Sequence, residues 1–367
     1  MTLPHVARGF ADQIAAEVEQ MPDPSGGPAA ERLELELAEA FGAAHVVAVS
    51  SGTAALHAAL FACGIGPGDE VLVPALCVVM SVAPIAALGA RPVFVDSDPA
   101  TLDLDWHDAA RKLTAHTRVI MPVHLWGRMG DPAELKNFAA EHGLAIIEDA
   151  AQAAGTSRAG HRAGTSGTIG CFSMKDGKIL WSGEGGFLIT DQPHLAEHAA
   201  AFRSHWLPAP FGEAPLSRLA TNTRLAAPLA AIALANLRRL PALVELRRAQ
   251  ARHLAYALQQ TPGLRIIAPA ADEQWNCFSP LFHLDLPNPR GFAEHLAKRM
   301  VPNSTGSFHL VPCDTRPMFT GPTQVSCRGA AQILDHTLAL VLTEHDREAQ
   351  LDRFAGLIAQ EAETWTG

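Results

Sequence analysis

Short apolar runs alternate with amphipathic stretches through the first half of the chain. The runs fall at 46–49, 70–73, 92–95, 118–123, 144–148, 168–172 and 187–190. Each reads as a buried strand. Helical stretches at 54–63, 78–88, 106–113 and 132–142 separate the earlier ones. Strand–helix repetition of this kind predicts a mainly parallel seven-stranded sheet with helices on both faces. No helical stretch joins the last two runs, so an antiparallel strand or an insertion is expected there.

Around this repeat the pattern is less regular. In 29–41, Leu33, Leu35 and Leu37 alternate with acids as in a strand. Alanine and glutamate content favours a helix instead, and Gly42 suits its end. A short helix is expected at 7–19 and a turn at Ser25-Gly26-Gly27-Pro28. After a helix at 193–203 and a loop rich in Pro and Gly, an apolar stretch at 225–237 precedes a long charged helix at 241–260. That helix reads as the connector to a second unit. Strands are expected there at 264–267 and 281–286, with helices at 291–300, 328–342 and 346–363. The division is an N-terminal segment, 1–24, a large domain, 25–240, and a smaller α+β C-terminal domain, 241–367.

Length agrees with this division, since 367 residues exceed one small core and suit two subdomains. The chain is 48% hydrophobic and 18% charged, an ordinary globular balance. Its net charge of −10 and lack of a basic block argue against a nucleic-acid partner. The six cysteines form no Cys-x-x-Cys pair, which suits reduced thiols in a cytoplasmic protein. No signal-peptide pattern opens the chain. The stretch 71–90 carries no charge and is long enough for a membrane span. Pro74, Ser81, Pro84 and Gly89 favour a buried strand leading into a buried helix, so no membrane association is expected.

Three stretches carry candidate chemistry. Ser50-Ser51-Gly52-Thr53-Ala54 lies between a strand and a helix start. Backbone N–H groups and the helix dipole make such a turn an anion site, although a plain N-cap uses the same residues. Asp149 ends the run Ile146-Ile147-Glu148-Asp149, with Gln152 three residues on. An acid at the carboxyl end of a parallel strand faces the ligand side of an α/β sheet. It can pair with a pyridinium nitrogen or cap a helix. Between the last two strands sit Ser173, Lys175, Lys178 and Gly183-Glu184-Gly185-Gly186. A lysine between buried strands is costly unless it pairs or reacts. A Schiff base from Lys178 to an aldehyde cofactor is such a use, with Ser173 near a phosphate. A surface hairpin with Lys175, Asp176 and Lys178 solvated fits the pattern equally.

Two further patterns are discounted. Gly64-Ile65-Gly66-Pro67-Gly68-Asp69 has the wrong glycine spacing for a dinucleotide loop and precedes a strand. His194 and His198 have metal-ligand spacing but no third ligand, so no metal site is expected.

Taken in order, the motifs resemble the DegT/DnrJ/EryC1/StrS sugar aminotransferase family. The resemblance runs through Val49-Ser50-Ser51-Gly52-Thr53-Ala54-Ala55-Leu56, Gly66-Pro67-Gly68-Asp69-Glu70, and Pro122-Val123-His124-Leu125-Trp126-Gly127. It continues through Glu148-Asp149-Ala150-Ala151-Gln152, Gly170-Cys171-Phe172-Ser173, Lys178 and Gly183-Glu184-Gly185-Gly186. It implies a fold-type I enzyme dependent on pyridoxal 5'-phosphate (PLP), cycling through pyridoxamine 5'-phosphate. Lys178 would hold the cofactor, Asp149 would meet its ring nitrogen and Gln152 its phenolic oxygen. Gly52, Thr53, Ala54 and Ser173 would hold the phosphate. A homodimer with shared active sites is implied, Asn222 and Arg224 of Ala220-Thr221-Asn222-Thr223-Arg224 reaching into the partner's site. His205 in Arg203-Ser204-His205, and Glu184, would border the substrate.

The implied reaction moves an amino group from glutamate or glutamine to a keto-sugar or keto-cyclitol, the setting being amino-sugar or antibiotic biosynthesis. A dehydratase on the same fold is the alternative, but such relatives carry histidine where this chain has Lys178. A non-catalytic protein retaining the scaffold is the other. The chain departs from the family at Val78, where an aromatic usually stacks on the cofactor ring. It also fits poorly over 304–318, where His309 only roughly overlaps a family histidine.

Overall fold

The apolar runs become one seven-stranded sheet. A computed structural model describes residues 10–19, 29–210, 212–319 and 326–367. Part of the expected 7–19 helix and the whole 25–28 turn lie outside the described residues. Helices α1 (Phe10–Glu19) and α2 (Ala29–Phe41) precede β1 (His45–Val49), α3 (Gly52–Ala62), β2 (Glu70–Pro74) and α4 (Val79–Ala87). Then come β3 (Arg91–Val95), α5 (Trp106–Lys112), β4 (Thr117–Ile120), α6 (Pro132–His142) and β5 (Ala145–Asp149). A hairpin of β6 (Ser157–Arg158) and β7 (His161–Arg162) leads to β8 (Ile169–Ser173), β9 (Gly186–Thr190) and α7 (Pro193–Phe202). The chain continues through α8 (Ala227–Leu258), β10 (Leu264–Ile266), β11 (Glu273–Gln274), β12 (Leu281–Leu284) and α9 (Pro289–Lys298). It closes with α10 (Ser304–Phe308), α11 (Arg328–Asp335), β13 (Thr337–Ala339) and α12 (Glu348–Thr364).

The sheet order is β1-β9-β8-β5-β4-β2-β3. Strand β9 runs antiparallel to both β1 and β8, where the missing crossover helix predicts it. The pairs β8–β5, β5–β4, β4–β2 and β2–β3 are parallel. The uncharged 71–90 stretch divides into β2, buried along its length, and α4. Among the described residues no helix is long and apolar enough to cross a membrane.

Both faces of the sheet are covered. Helices α3, α4 and α7 bury Leu60, Ile85 and Phe202 on one face. On the other, Leu33 and Leu37 of α2 and Leu234 of α8 pack over Phe172 and Phe187, whose rings stack at 4.7 Å. Leu35 is 73% exposed while Leu33 and Leu37 are fully buried, so the i, i+4 spacing of a helix settles the alternation in 29–41.

Two expectations need correction. The stretches 225–237 and 241–260 form one 32-residue helix, α8, which passes through Pro241. The helix expected at 328–342 stops at Asp335, and β13 then pairs antiparallel with β12. Residues 338–342 are Leu-Ala-Leu-Val-Leu. A helix would spread these around its circumference. As an edge strand paired with β12, β13 buries Leu338 and Ala339, and Leu340 just beyond it is buried too.

Candidate active site

The carboxyl ends of β5 and β8 and the start of α3 converge at one place. Asp149 is the last residue of β5 and is 4% exposed. Its backbone N–H donates to Pro122 O at 2.9 Å, and its carbonyl accepts from His124 N–H at 2.9 Å. These bonds make a parallel bridge between Val123 and Asp149, three residues past the end of β4, and fix where the Asp149 backbone stands. Asp149 Oδ1 accepts from Ala151 N–H at 3.1 Å, and Oδ2 accepts from the Ser81 hydroxyl at 2.6 Å.

Ser173 is the last residue of β8 and stands against the N-terminus of α3. A Cβ on Gly52 would lie 2.7 Å from Ser173 Cβ, and one on Gly186 would lie 2.5 Å from the Ser51 carbonyl carbon. Two glycines thus let three chain segments close on one point, as backbone cradles for anions require. Ser51 caps α3, its Oγ accepting from Ala54 N–H at 3.1 Å. The capping role therefore holds for Ser51, and it leaves the adjoining Gly52 and Thr53 at the helix start beside Ser173.

The segment carrying Lys178 is not a solvated hairpin. Met174 N–H donates to Gly185 O, Asp176 N–H to Gly183 O and Ser182 N–H to Met174 O, at 2.8, 2.8 and 2.7 Å. Ile179 and Leu180 are buried, Ile179 packing against Leu243 and Val244 of α8. This anchoring separates the two lysines. Lys175 is exposed and Lys178 is half-buried, its ammonium 5.2 Å from the centre of the Phe278 ring. Lys178 has no ion-pair partner among the described residues. Burial lowers its pKa to about 8, the Asp149 charge pulling it partly back and the Lys175 charge pushing it further down. An unpaired lysine of this kind is a ready nucleophile near neutral pH.

Gln152 Oε1 accepts from Trp126 N–H at 2.6 Å. A backbone donor fixes which end of the amide is oxygen, so the NH2 group is the end left to donate. Trp126 adopts a positive φ of 59° to present that N–H.

The remaining expected residues lie on segments that adjoin the start of α3, with Gly185 bridged to Ser51 and Ser204 to Asn222. Asn222, Arg224, His205 and Glu184 are exposed. Thr223 and Arg224 pair with the end of β1, Ser50 N–H donating to Thr223 O at 2.7 Å and Val49 forming a bridge with Arg224. Arg203 is spent on structure, donating to Glu34 and to the Ala48 carbonyl. Among the described residues no cluster of three or more His, Cys, Asp or Glu could hold a metal ion.

Two contributors escaped the sequence reading. Ser81 is one, a lone hydroxyl in the uncharged 71–90 stretch. Glu148 is the other. It is fully buried and accepts from His124 Nε2 and from the N–H groups of Gly164, Ser166 and Gly167. An acid directly before Asp149, inside a strand otherwise apolar, was the available signal.

The family's sequence profile matches residues 10–358. The chain belongs to the DegT/DnrJ/EryC1/StrS aminotransferase family. It is 33% identical over 342 residues to the dTDP-3-amino-3,4,6-trideoxy-alpha-D-glucose transaminase of Streptomyces venezuelae, covering 92% of this chain and 88% of that one. It is 46% identical over 161 residues to the L-glutamine:2-deoxy-scyllo-inosose aminotransferase of Streptomyces kanamyceticus. That match covers 44% of this chain and spans only 38% of the relative's length. Among solved structures, the aminotransferase TlmJ from Streptoalloteichus hindustanus superposes with a TM-score of 0.89 at 28% identity. It covers 100% of this chain and 99% of TlmJ. The fold is that of fold-type I aminotransferases, and the DegT/DnrJ/EryC1/StrS family depends on PLP.

The residues present fit that cofactor. The glycine-walled cradle beside Ser173 suits a phosphate, the unpaired Lys178 amine suits an aldehyde, and Asp149 suits a ring nitrogen. Gly52→Ala tests the cradle, because its methyl would press into Ser173. Overpacking there is expected to cost about 1–3 kcal/mol. Where cofactor binding bears that cost, affinity of the apoprotein should fall by about five- to a hundredfold. Titration of the apoprotein with PLP, beside its melting curve, checks this. Unchanged affinity would remove the phosphate from this cradle.

Proposed function

We propose that the chain is a PLP-dependent aminotransferase that takes an amino group from glutamate or glutamine and delivers it to a keto-sugar or keto-cyclitol. The carrying observation is Lys178, a half-buried amine without a counter-ion, five residues after Ser173 and within the field of Asp149. When bound, PLP supplies an electron sink that makes a proton on the amino donor's α-carbon removable.

The chain's own residues do the rest. Lys178 would hold the aldehyde carbon and, when free as a neutral amine, would move the proton at the donor's α-carbon. Asp149 keeps negative charge at the ring nitrogen. Ser173 with the first turn of α3 holds the phosphate, and the Gln152 NH2 donates to the phenolic oxygen. The exposed Asn222 and Arg224 suit a homodimer in which they complete the partner's site. The Streptomyces relatives, a sugar transaminase and a cyclitol aminotransferase by their names, support a polyol ketone as acceptor. Lys178 speaks against a dehydratase, and an unpaired buried lysine is too costly to keep in a protein without chemistry.

The test is spectroscopic. Reconstituted protein should show a visible band, glutamate or glutamine should bleach it, and a keto-sugar or keto-cyclitol should restore it. Protein that binds no cofactor, or whose bleached form no polyol ketone restores, overturns this reading. Full activity from a monomer at micromolar concentration would overturn the shared site.

A further inference from the structure

We propose that Ser81 is a positioning residue for the cofactor, its hydroxyl holding the Asp149 carboxylate in the orientation that meets the pyridine nitrogen. This rests on the reading of Asp149 given above.

The geometry is specific. Ser81 lies in the first turn of α4, fully buried, with Oγ 2.6 Å from Asp149 Oδ2. An ionised carboxylate only accepts, so the serine O–H is the donor. Hydrogen bonds to a charged acceptor are the short and strong ones. Ala151 N–H holds the other oxygen, Oδ1, at 3.1 Å. With one donor on each oxygen, rotation about the Cβ–Cγ bond is blocked and the carboxylate plane is set before any ligand arrives.

The same turn of α4 carries the chain's departure at Val78. Val78 is the N-cap of α4, and Ser81 N–H donates to Val78 O at 3.0 Å. One helical turn therefore presents both the residue at the expected stacking position and the holder of Asp149. Where an aromatic face is missing, a ring is held more by its edge contacts. A pre-oriented carboxylate loses little freedom on binding and so returns more of its attraction as affinity.

The charged and titratable groups around Asp149 come from several elements. Lys178 approaches from the turn after β8, His124 from the segment after β4, Cys77 from just before α4, and Cys171 from β8. Glu148 is its chain neighbour. None of these hydrogen-bonds the Asp149 carboxylate, which leaves Ser81 and Ala151 as the groups that orient it.

A simple tether between α4 and β5 would use the same bond, so the test must read the cofactor. With the ring nitrogen protonated, its positive charge makes the nitrogen linked to Lys178 a weaker base. If Ser81→Ala loosens Asp149, ring protonation weakens and the pH midpoint of the visible band moves up. A charged hydrogen bond predicts a shift of about one pH unit and a PLP affinity about ten- to a hundredfold weaker. Ser81→Thr keeps the hydroxyl and should restore both. Apoprotein melting is followed in parallel. If Ser81→Ala does not fold, Ser81→Cys, a weaker donor of similar size, takes its place. An unmoved midpoint in the folded variant, with Asp149→Ala shifting it, overturns the role of Ser81 alone. An unmoved midpoint in Asp149→Ala overturns the reading of Asp149 itself.

Discussion

Lys178→Ala is expected to abolish the visible band of the reconstituted protein and to lower turnover by at least the ~10²–10⁴-fold typical of a lost acid–base group. Lys178→Arg should fail equally, because a guanidinium stays charged and cannot attack an aldehyde. The same lysine makes a second, independent prediction about stability. Its pKa is lowered to about 8 by burial. In the unfolded chain it titrates near the ordinary lysine value, so between the two values the unfolded state binds more protons. The cost of burying the charged amine is thus complete below pH 8 and is relieved as pH rises from about 8 to about 10.4. Lys178→Met removes that cost at any pH. Apoprotein carrying it should be more stable than wild type at neutral pH, by on the order of 2–3 kcal/mol. The gap should close toward about pH 10.4. Denaturant titrations at the two ends of the range measure it. A gap that stays constant would mean that the amine is solvated and that the fall in activity needs another cause.

The contrast between the two lysines shows what was legible in the sequence. Lys175 and Lys178 look alike in a glycine-rich segment, and only the spacing from Ser173 within the family pattern separates them. The fold separates them by burying Ile179 and Leu180, a contact with α8 that no local pattern announces. The large sheet was readable because each strand is a closed apolar run and the missing crossover marks β9. Strand β13 was not, because an amphipathic helix runs straight into its apolar run and only pairing with β12 ends the helix. Pro241 invited a break that α8 does not make. At the site, Asp149, Gln152, Ser173, Gly52 and Lys178 are carried by short motifs. Their supports are not. The Ser81–Asp149 bond joins residues 68 apart in sequence, and Arg203, in the same motif as the expected pocket residue His205, is taken up by Glu34 across 169 positions.

Glu148 is the support with the most at stake, and Glu148→Ala is expected to be the most destabilising single change described here. Its carboxylate is fully buried, pairs with buried His124 at 2.9 Å and accepts three N–H groups from the 164–167 loop. Removing one member of a buried ion pair costs about 3–5 kcal/mol, and each orphaned buried donor about 1–3 more. Against a total stability of about 5–15 kcal/mol, the variant should be largely unfolded at moderate denaturant or temperature. Glu148→Gln keeps one acceptor for the loop but turns an NH2 toward donors, and should be intermediate. Its pH dependence identifies the ion pair. Burial alone would lower the His124 pKa, but the hydrogen bond and charge of Glu148, with the charges of Asp103 and Asp149, raise it above the ordinary histidine value. Its charged form therefore stabilises the fold fully below about pH 6.5, and that contribution is lost as pH rises through the raised value. The stability gap between wild type and Glu148→Gln should narrow over that rise. A gap independent of pH would mean that His124 is neutral and that Glu148 acts only through the loop. His124 N–H also holds the Asp149 carbonyl, so any slackening here moves the acid that faces the cofactor. Glu148→Gln should therefore weaken PLP affinity although Glu148 itself lies outside the contact set proposed for the cofactor.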